Sequence, residues 1–295
     1  MSVPLSRYIN PLTDFGFKKL FGTEPNKDLL IDFLNQVLPE QHQVADLSYS
    51  ATEHLGLRLV DRKAVFDLYC ISESGEHFIV ELQKAKQNYF RDRSVFYASF
   101  PIQEQAQRGE WDFELQPVYT IGILDFVFAD HKDDDELYHL VELKDQNCQV
   151  FYDKLKFIYL ELPKFKKTEE ELETQFDRWL YVFRYLSDLQ ERPAALQNRI
   201  FARLFEAAEI AQFTPDERRA YQASLKYYRD INNIVDTARQ EGVEQGIEQG
   251  IEQGVERGRE QAQFDFARRL KADGVPTEDI ARYTDLDEDQ IKALR

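Results

Sequence analysis

The sequence predicts an α/β region followed by an all-α C-terminal region. Three observations carry this. Residues 64–72 and 77–83 are two runs rich in β-branched and aromatic residues, joined by a turn containing Gly75, the pattern of a β-hairpin. Residues 118–128 are apolar at nearly every position, as in a strand buried on both faces. After Glu169 the apolar residues recur at helical spacing as far as Arg239, with no further strand pattern.

The elements follow in order. Residues 26–38 form an amphipathic helix and residues 44–50 a first strand. The hairpin comes next, then a helix rich in Tyr and Phe over 89–108, then the buried strand. Asp130 to Glu136 is an acidic loop, read as a solvated turn before a cation site. Residues 138–143 and 157–162 are further strands, and Pro163 closes the sheet region because it cannot donate to a ladder. Helices cover 169–189 and 196–211, with a break at Glu191-Arg192-Pro193. Thr214-Pro215-Asp216-Glu217 is an N-terminal cap with proline in the first turn, and it opens a helix running past Ile231.

The tail is repetitive. Gly242, Gly246, Gly250, Gly254 and Gly258 recur every four residues, beside Val243, Ile247, Ile251 and Val255 and a parallel series of glutamates. On a helix these are slowly drifting stripes. Five glycines each cost about 0.8–1.0 kcal/mol relative to alanine, so the helix is poor alone and suits packing against a copy of itself or its own chain. Residues 264–295 have the spacing of a helix-turn-helix, but the second helix would begin Asp287-Glu288-Asp289. Those acids suit a helix N-terminus better than a phosphate backbone, so self-association is the preferred reading. The expected organisation is 1–165 core, 166–236 helical region, 237–262 Gly-stepped helix or linker, and 263–295 small helical module.

Composition sets limits. The chain has 295 residues, 43% of them hydrophobic, enough for a full core. No apolar run approaches the roughly 20 residues of a membrane span, and no secretory signal is visible at the start, so a cytoplasmic protein is expected. Cys70 and Cys148, the only cysteines, lie in strand-like runs and read as buried thiols. The net charge of −17 is spread along the chain and argues against a tight non-specific nucleic-acid binder. One stretch departs from it: between Gln83 and Arg108, the cations Lys84, Lys86, Arg91, Arg93 and Arg108 outnumber Asp92 and Glu104. Lys84, Lys86, Arg91 and Arg93 are candidate phosphate contacts; a solvated helix face is the plainer alternative.

The hairpin carries the chemistry. Asp67 lies in the first run, and Glu81 and Gln83 in the second. A carboxylate inside an apolar strand is costly unless a partner such as a divalent cation offsets it. Glu81 and Gln83 share a strand face by the period of two. Asp67 joins that face only if the loop around Gly75 is odd-numbered or the ladder carries a bulge; a two-residue Ser74-Gly75 turn sends it to the opposite face. The plainer alternative is polar residues on the solvated face of a sheet edge.

The flanks add a resemblance. Asn10-Pro11-Leu12-Thr13-Asp14-Phe15-Gly16-Phe17-Lys18-Lys19-Leu20-Phe21-Gly22, the hairpin segments Phe66-Asp67-Leu68 and Val80-Glu81-Leu82-Gln83, Gln103-Glu104-Gln105-Ala106 before Gly109-Glu110-Trp111, and the Gly-Val-Glu-Gln tail together resemble the Rpn family of recombination-promoting nucleases or putative transposases, in the PD-(D/E)XK nuclease superfamily. The resemblance implies a restriction-endonuclease-like mixed-sheet core that hydrolyses DNA phosphodiester bonds with Mg2+ or another divalent cation. Asp67 and Glu81 would be the metal ligands. Gln83 would be the third catalytic residue, standing where the superfamily has Lys, a substitution this family accepts. Gln can hydrogen-bond a water but brings no charge, so either the metal alone would activate the water or a lysine from elsewhere, Lys18 or Lys19 of the first helix, would reach the site, with Asp14 as an auxiliary ligand. Lys84, next to Gln83, is expected on the other strand face. Restoring Lys at position 83 is expected to keep or raise activity. The alternative is a nuclease fold that only binds DNA or protein. DNA and a second copy of the chain, held through the C-terminal helices, are the expected partners.

Overall fold

The computed structural model describes residues 6–40, 42–54, 64–106 and 111–294. The described residues divide into two compact units, at Asn232/Asn233. The first unit is built on a six-stranded sheet. Its strands are β1 (Leu47–Tyr49), β4 (Leu68–Ser72), β5 (His77–Gln83), β6 (Val118–Leu124), β7 (Tyr138–Lys144) and β8 (Val150–Glu161). The order across the sheet is β1-β4-β5-β6-β8-β7, and β2 (Glu53–His54) pairs separately with β3 (Ala64–Val65). Strands β5, β6 and β8 are parallel, and β1, β4 and β7 run antiparallel to their neighbours. This is the mixed sheet expected.

Strand β5 is buried along its whole length. It lies inside the sheet, not at an edge, so the reading of Glu81 and Gln83 as solvated edge residues does not hold. The two faces of the sheet bury different sets. Phe78, Val80 and Leu82 join Ile121, Ile123, Ile158 and Leu160 in the main core. That core is closed by α1 (Asp14–Phe21), α2 (Lys27–Val37), α4 (Gln175–Tyr185) and α5 (Arg199–Ala208). Its aromatic centre includes Phe21, Phe33, Trp179 and Phe183. Burial of each such side chain contributes about 1.5–3 kcal/mol. The helical segments between Leu172 and Tyr228 thus share one core with the sheet.

The other face is covered by α3 (Phe90–Glu104). Phe90, Ser94, Ala98 and Pro101 make its buried stripe, and two small residues in that stripe let the helix lie close to the sheet. Arg93 and Tyr97 fall on the flank of the stripe. At the start of α1, a Cβ on Gly16 would meet the Asn10 carbonyl oxygen at 2.1 Å, which explains glycine within the Asp14-Phe15-Gly16-Phe17 motif.

The structure corrects some expectations. Cys70 is buried but Cys148 is exposed. Cys148 sits in the turn of the β7–β8 hairpin with a positive φ of 61°, and its N–H is held by the Asp145 carbonyl at 3.0 Å. Residues 169–189 are not one helix: a short 3-10 turn at Glu169–Glu171 precedes α4, which gives way to another at Leu186–Asp188. Thr174 restarts the chain as an N-cap, accepting from the Asp177 N–H while Asp177 returns the bond. That reciprocal cap competes with continuation of the preceding turn.

Thr214 caps α6 (Pro215–Ala272) as expected, with Glu217 accepting from its backbone N–H. In the second unit, the glycines of α6 have no described atom within 4 Å of an added Cβ, and Val243, Ile247, Ile251 and Val255 are exposed. The unit ends in α7 (Thr277–Thr284) and α8 (Glu288–Ala293). Ile280, Leu286 and Ile291 form a small core with Ala267, and Asp287 caps α8.

Candidate active site

Hairpin register brings the acidic residues together. Ser72 N–H bonds the Glu76 carbonyl at 2.9 Å, and Gly75 N–H returns to the Ser72 carbonyl at 3.0 Å. The loop is therefore three residues, 73–75, closed by Gly75 at φ 91°, a conformation that favours glycine. The ladder continues through Ile71↔His77 to Leu68↔Val80. One step further along that register, Asp67 stands opposite Glu81. The odd loop required to put both carboxylates on one face is present.

Backbone hydrogen bonds lock the pair. Asp67 Oδ2 accepts from Leu82 N–H at 2.7 Å, and Glu81 Oε1 accepts from Asp67 N–H at 3.2 Å. Glu81 is buried, and Asp67 is half-buried on the wall of a cleft of about 450 Å³. Burial and the charge of Asp67 push the Glu81 carboxyl up to about 8. Burial raises Asp67 as well, and the nearby charge of Asp14 adds to the rise. Both carboxyls stay raised even with Arg93, Lys18 and Lys84 acting on them, so the nearby cations do not fully offset the cost of holding two carboxylates away from water. That deficit fits a small hard cation, which Asp67 and Glu81 would hold through oxygen.

Gln83 faces the same cleft, but both ends of its amide are engaged. Its Oε1 accepts from Arg93 Nη2, and its Nε2 donates to the Ala85 carbonyl at 2.8 Å. Arg93 also donates to Gln87 Oε1 at 2.5 Å and lies 5.1 Å from the Phe90 ring centroid. Its charge acts on Glu81, favouring the ionised form. A guanidinium from α3 is therefore anchored where Gln83 itself brings no charge. The sequence pointed to Arg93 as a surface phosphate contact; its position within the site depends on how α3 packs on the sheet.

The other candidates separate. Asp14 lines the cleft and pairs with Lys18 at 2.9 Å, and Lys18 acts electrostatically on both Asp67 and Glu81. Lys19 is turned away, paired with Glu217 at 2.5 Å and resting 5.5 Å from the Phe213 ring centroid. One helical residue beyond Lys18 rotates by about 100°, so both cannot face the cleft. Lys84 lines the cleft with Asp67 and with Leu82, its neighbour two residues back on the face opposite Gln83, because residues of both strand faces reach the cleft at the end of β5. It lies 5.3 Å from the Tyr227 ring centroid, and burial lowers its pKa.

Lys86 is exposed. Arg91 is held by Asp130 at 2.8 Å and stacks 4.2 Å from the Phe128 ring centroid, so part of the acidic loop is tied to α3. Glu104 accepts from Tyr69 Oη at 3.2 Å, and Gln105 accepts from Gln116 N–H at 2.6 Å; these motif residues brace α3. The Gly109-Glu110 part of that motif lies outside the described residues. Ser224, Tyr227 and Ile231 of α6 complete the cleft wall, with no sequence signal that placed them there.

One hairpin of a central mixed sheet thus presents paired carboxylates and a polar third residue at the mouth of a cleft. The family described as PD-(D/E)XK nuclease family transposase matches residues 11–238, and the chain belongs to that family. No curated protein and no solved structure matches it. Among the described residues, no helix is long and apolar enough to cross a membrane.

Proposed function

We propose that this protein is a divalent-metal-dependent DNA endonuclease that hydrolyses phosphodiester bonds by attack of water. The observation that carries the reading is the buried Asp67–Glu81 pair beneath an open cleft, cross-linked through backbone hydrogen bonds. Mg2+ held there would polarise the phosphate and make a bound water more acidic. Asp67 and Glu81 fix the position of charge, because each oxygen that accepts a backbone N–H orients the rest of its carboxylate. Gln83 acts as a bracket, holding the Arg93 guanidinium at the site. Arg93 would face the charge that develops on the phosphorane oxygens, where a fixed cation is most effective. Lys18 and Lys84 add positive charge at the cleft and receive the phosphate backbone. This local charge opposes the net −17 of the chain.

The exposed Val/Ile stripe of α6, beside glycines with open space around them, supports dimerisation through the C-terminal helices, which would give two sites for the two strands of a duplex. The protein is read as cytoplasmic, with roles in recombination, transposon biology or defence.

A second reading, a nuclease fold that binds without cutting, is favoured by one observation: the Gln83 amide is committed to Arg93 and Ala85 and leaves little to orient a water. Plasmid nicking in Mg2+ and in chelator separates the two readings. Metal-dependent nicking that disappears in Asp67→Asn establishes the first; DNA binding with no nicking in Mg2+ or Mn2+ establishes the second.

A further inference from the structure

A second cluster of metal-ligating side chains lies on the same sheet face, away from the carboxylate pair. His131 ends a 3-10 turn (Ala129–His131), His139 is near the start of β7, and Glu161 is the last residue of β8. Glu161 is fully buried. Its Oε1 lies 3.1 Å from His131 Nδ1, and its Oε2 lies 3.3 Å from His139 Nε2. The two imidazoles stack with centroids 4.1 Å apart, and the three ligand atoms all lie within 4.8 Å of one another. Four ligands at about 2.0–2.1 Å around a tetrahedral zinc stand roughly 3.3 Å apart, close to the two imidazole–carboxylate separations of 3.1 and 3.3 Å, so a metal would need the rest of the set, held within 4.8 Å, to draw in. His139 Nε2 and Glu161 Oε2 are buried and make no well-aligned hydrogen bond among the described residues, although they lie 3.3 Å from each other and the Lys164 ammonium lies 2.9 Å from Glu161 Oε2. A buried polar atom left in that state is costly.

One group competes for this place. The Lys164 ammonium lies 2.9 Å from Glu161 Oε2. It also has Asp134 at 2.5 Å and the Glu136 carbonyl at 2.8 Å. Those partners keep Lys164 satisfied if Glu161 turns to a metal. Glu161 Oε1 accepts from Phe128 N–H at 2.8 Å and also lies within hydrogen-bond distance of His131 Nδ1 at 3.1 Å, so a metal would replace that imidazole contact.

We propose that His131 Nδ1, His139 Nε2 and Glu161 form a binding site for a late first-row divalent cation, Zn2+ foremost, distinct from the Asp67–Glu81 site. Two imidazoles and one carboxylate are a zinc donor set and a poor one for Mg2+. The register places Glu161 opposite Leu124, and Leu124 opposite Gln83. Two strand spacings of about 4.8 Å put the cluster roughly 10 Å from Gln83, too far for the paired-metal geometry of about 3.5–4 Å. The site is structural. Arg91 Nη2 lies 3.5 Å from His131 Nε2 and is held by Asp130. A cation there would therefore fasten the loop, the β7–β8 edge and the helix that carries Arg93.

The test uses the full-length protein stripped of metal, held in excess Mg2+ and titrated with Co2+. The expected result is one Co2+ per chain, giving the visible absorption bands of imidazole-ligated cobalt, displaced by Zn2+. His139→Ala weakens binding by more than about 100-fold with its circular dichroism unchanged, while Asp67→Asn leaves it intact. Lys164→Met, which removes the competing ammonium, tightens binding about tenfold or more, on the scale of a lost like-charge neighbour. Absence of cobalt bands in the wild-type protein, or wild-type affinity in His139→Ala, overturns the proposal. Should His139→Ala fail to fold, unchanged affinity in Lys164→Met overturns it equally.

Discussion

Glu81→Gln isolates the cost of holding the carboxylate pair without a cation. The Glu81 carboxyl is raised from 4.5 to about 8 by burial and by Asp67. A group whose pKa is higher folded than unfolded stabilises the fold at low pH. Its contribution is complete below the unfolded value and is lost as pH climbs through the folded one. Over that window one proton changes stability by about 1.4 kcal/mol per pH unit. From near 4.5 to about 8, the metal-free wild type therefore loses on the order of 5 kcal/mol. Gln keeps an oxygen to accept the Asp67 N–H and never ionises, so the variant lacks this slope.

His77 works in the opposite sense, because burial lowers its pKa, but it is common to both proteins and cancels in the difference. Urea denaturation in chelator at about pH 5.5 and about pH 8.5 reads the effect. The variant should gain several kcal/mol on the wild type between the two conditions. Added Mg2+ should restore the wild type at the higher pH and leave the variant unchanged. Equal pH dependence in the two proteins would refute the reasoning, since it would mean that Glu81 titrates as an ordinary solvated carboxylate.

Asp67→Asn and Glu81→Gln should each reduce Mg2+-dependent nicking by more than about 100-fold, a lower limit set by the loss of even an outer-shell partner; near wild-type cleavage in either would reject the pair as the site. Arg93→Ala should cost roughly 100- to 1000-fold in cleavage rate with little change in duplex affinity measured by anisotropy. Gln83→Lys, which by sequence alone should keep or raise activity, should instead lower it, because the new ammonium meets the Arg93 guanidinium; adding Arg93→Gln to it should recover cleavage in the same nicking assay. Gly75→Ala should lower stability by about 1 kcal/mol or more in thermal unfolding, because its φ of 91° strains any side chain. Light scattering should find the full chain dimeric and a chain ending at Arg239 monomeric, whereas equal masses per particle would reject the glycine-stepped seam.

The sequence by itself determined the strands and the carboxylates they carry. Periodicity of two and the Gly75 turn are local properties, so the hairpin and the shared face of Glu81 and Gln83 were legible from residues within about twenty positions of each other. Whether Asp67 joined them was posed in the sequence as the parity of a loop, and the three-residue turn decided it. The cap at Thr214 and the helix beyond were legible for the same reason, since capping uses neighbours three residues apart.

Only the tertiary structure decided that β5 is central, because strand order depends on pairing between distant segments. That position makes Glu81 buried and its charge expensive. The cation facing the pair was equally hidden: Arg93 stood in a visibly basic stretch, but its entry beside Gln83 follows from the small residues Ser94 and Ala98 that seat α3 on the sheet. Lys19 lost its expected place through helix rotation, and Lys84 reaches the cleft because residues of both faces of β5 line it at the strand's end. His131, His139 and Glu161 are scattered over thirty residues with no motif spacing, and the return of β8 beside β7 alone brings their ligand atoms together.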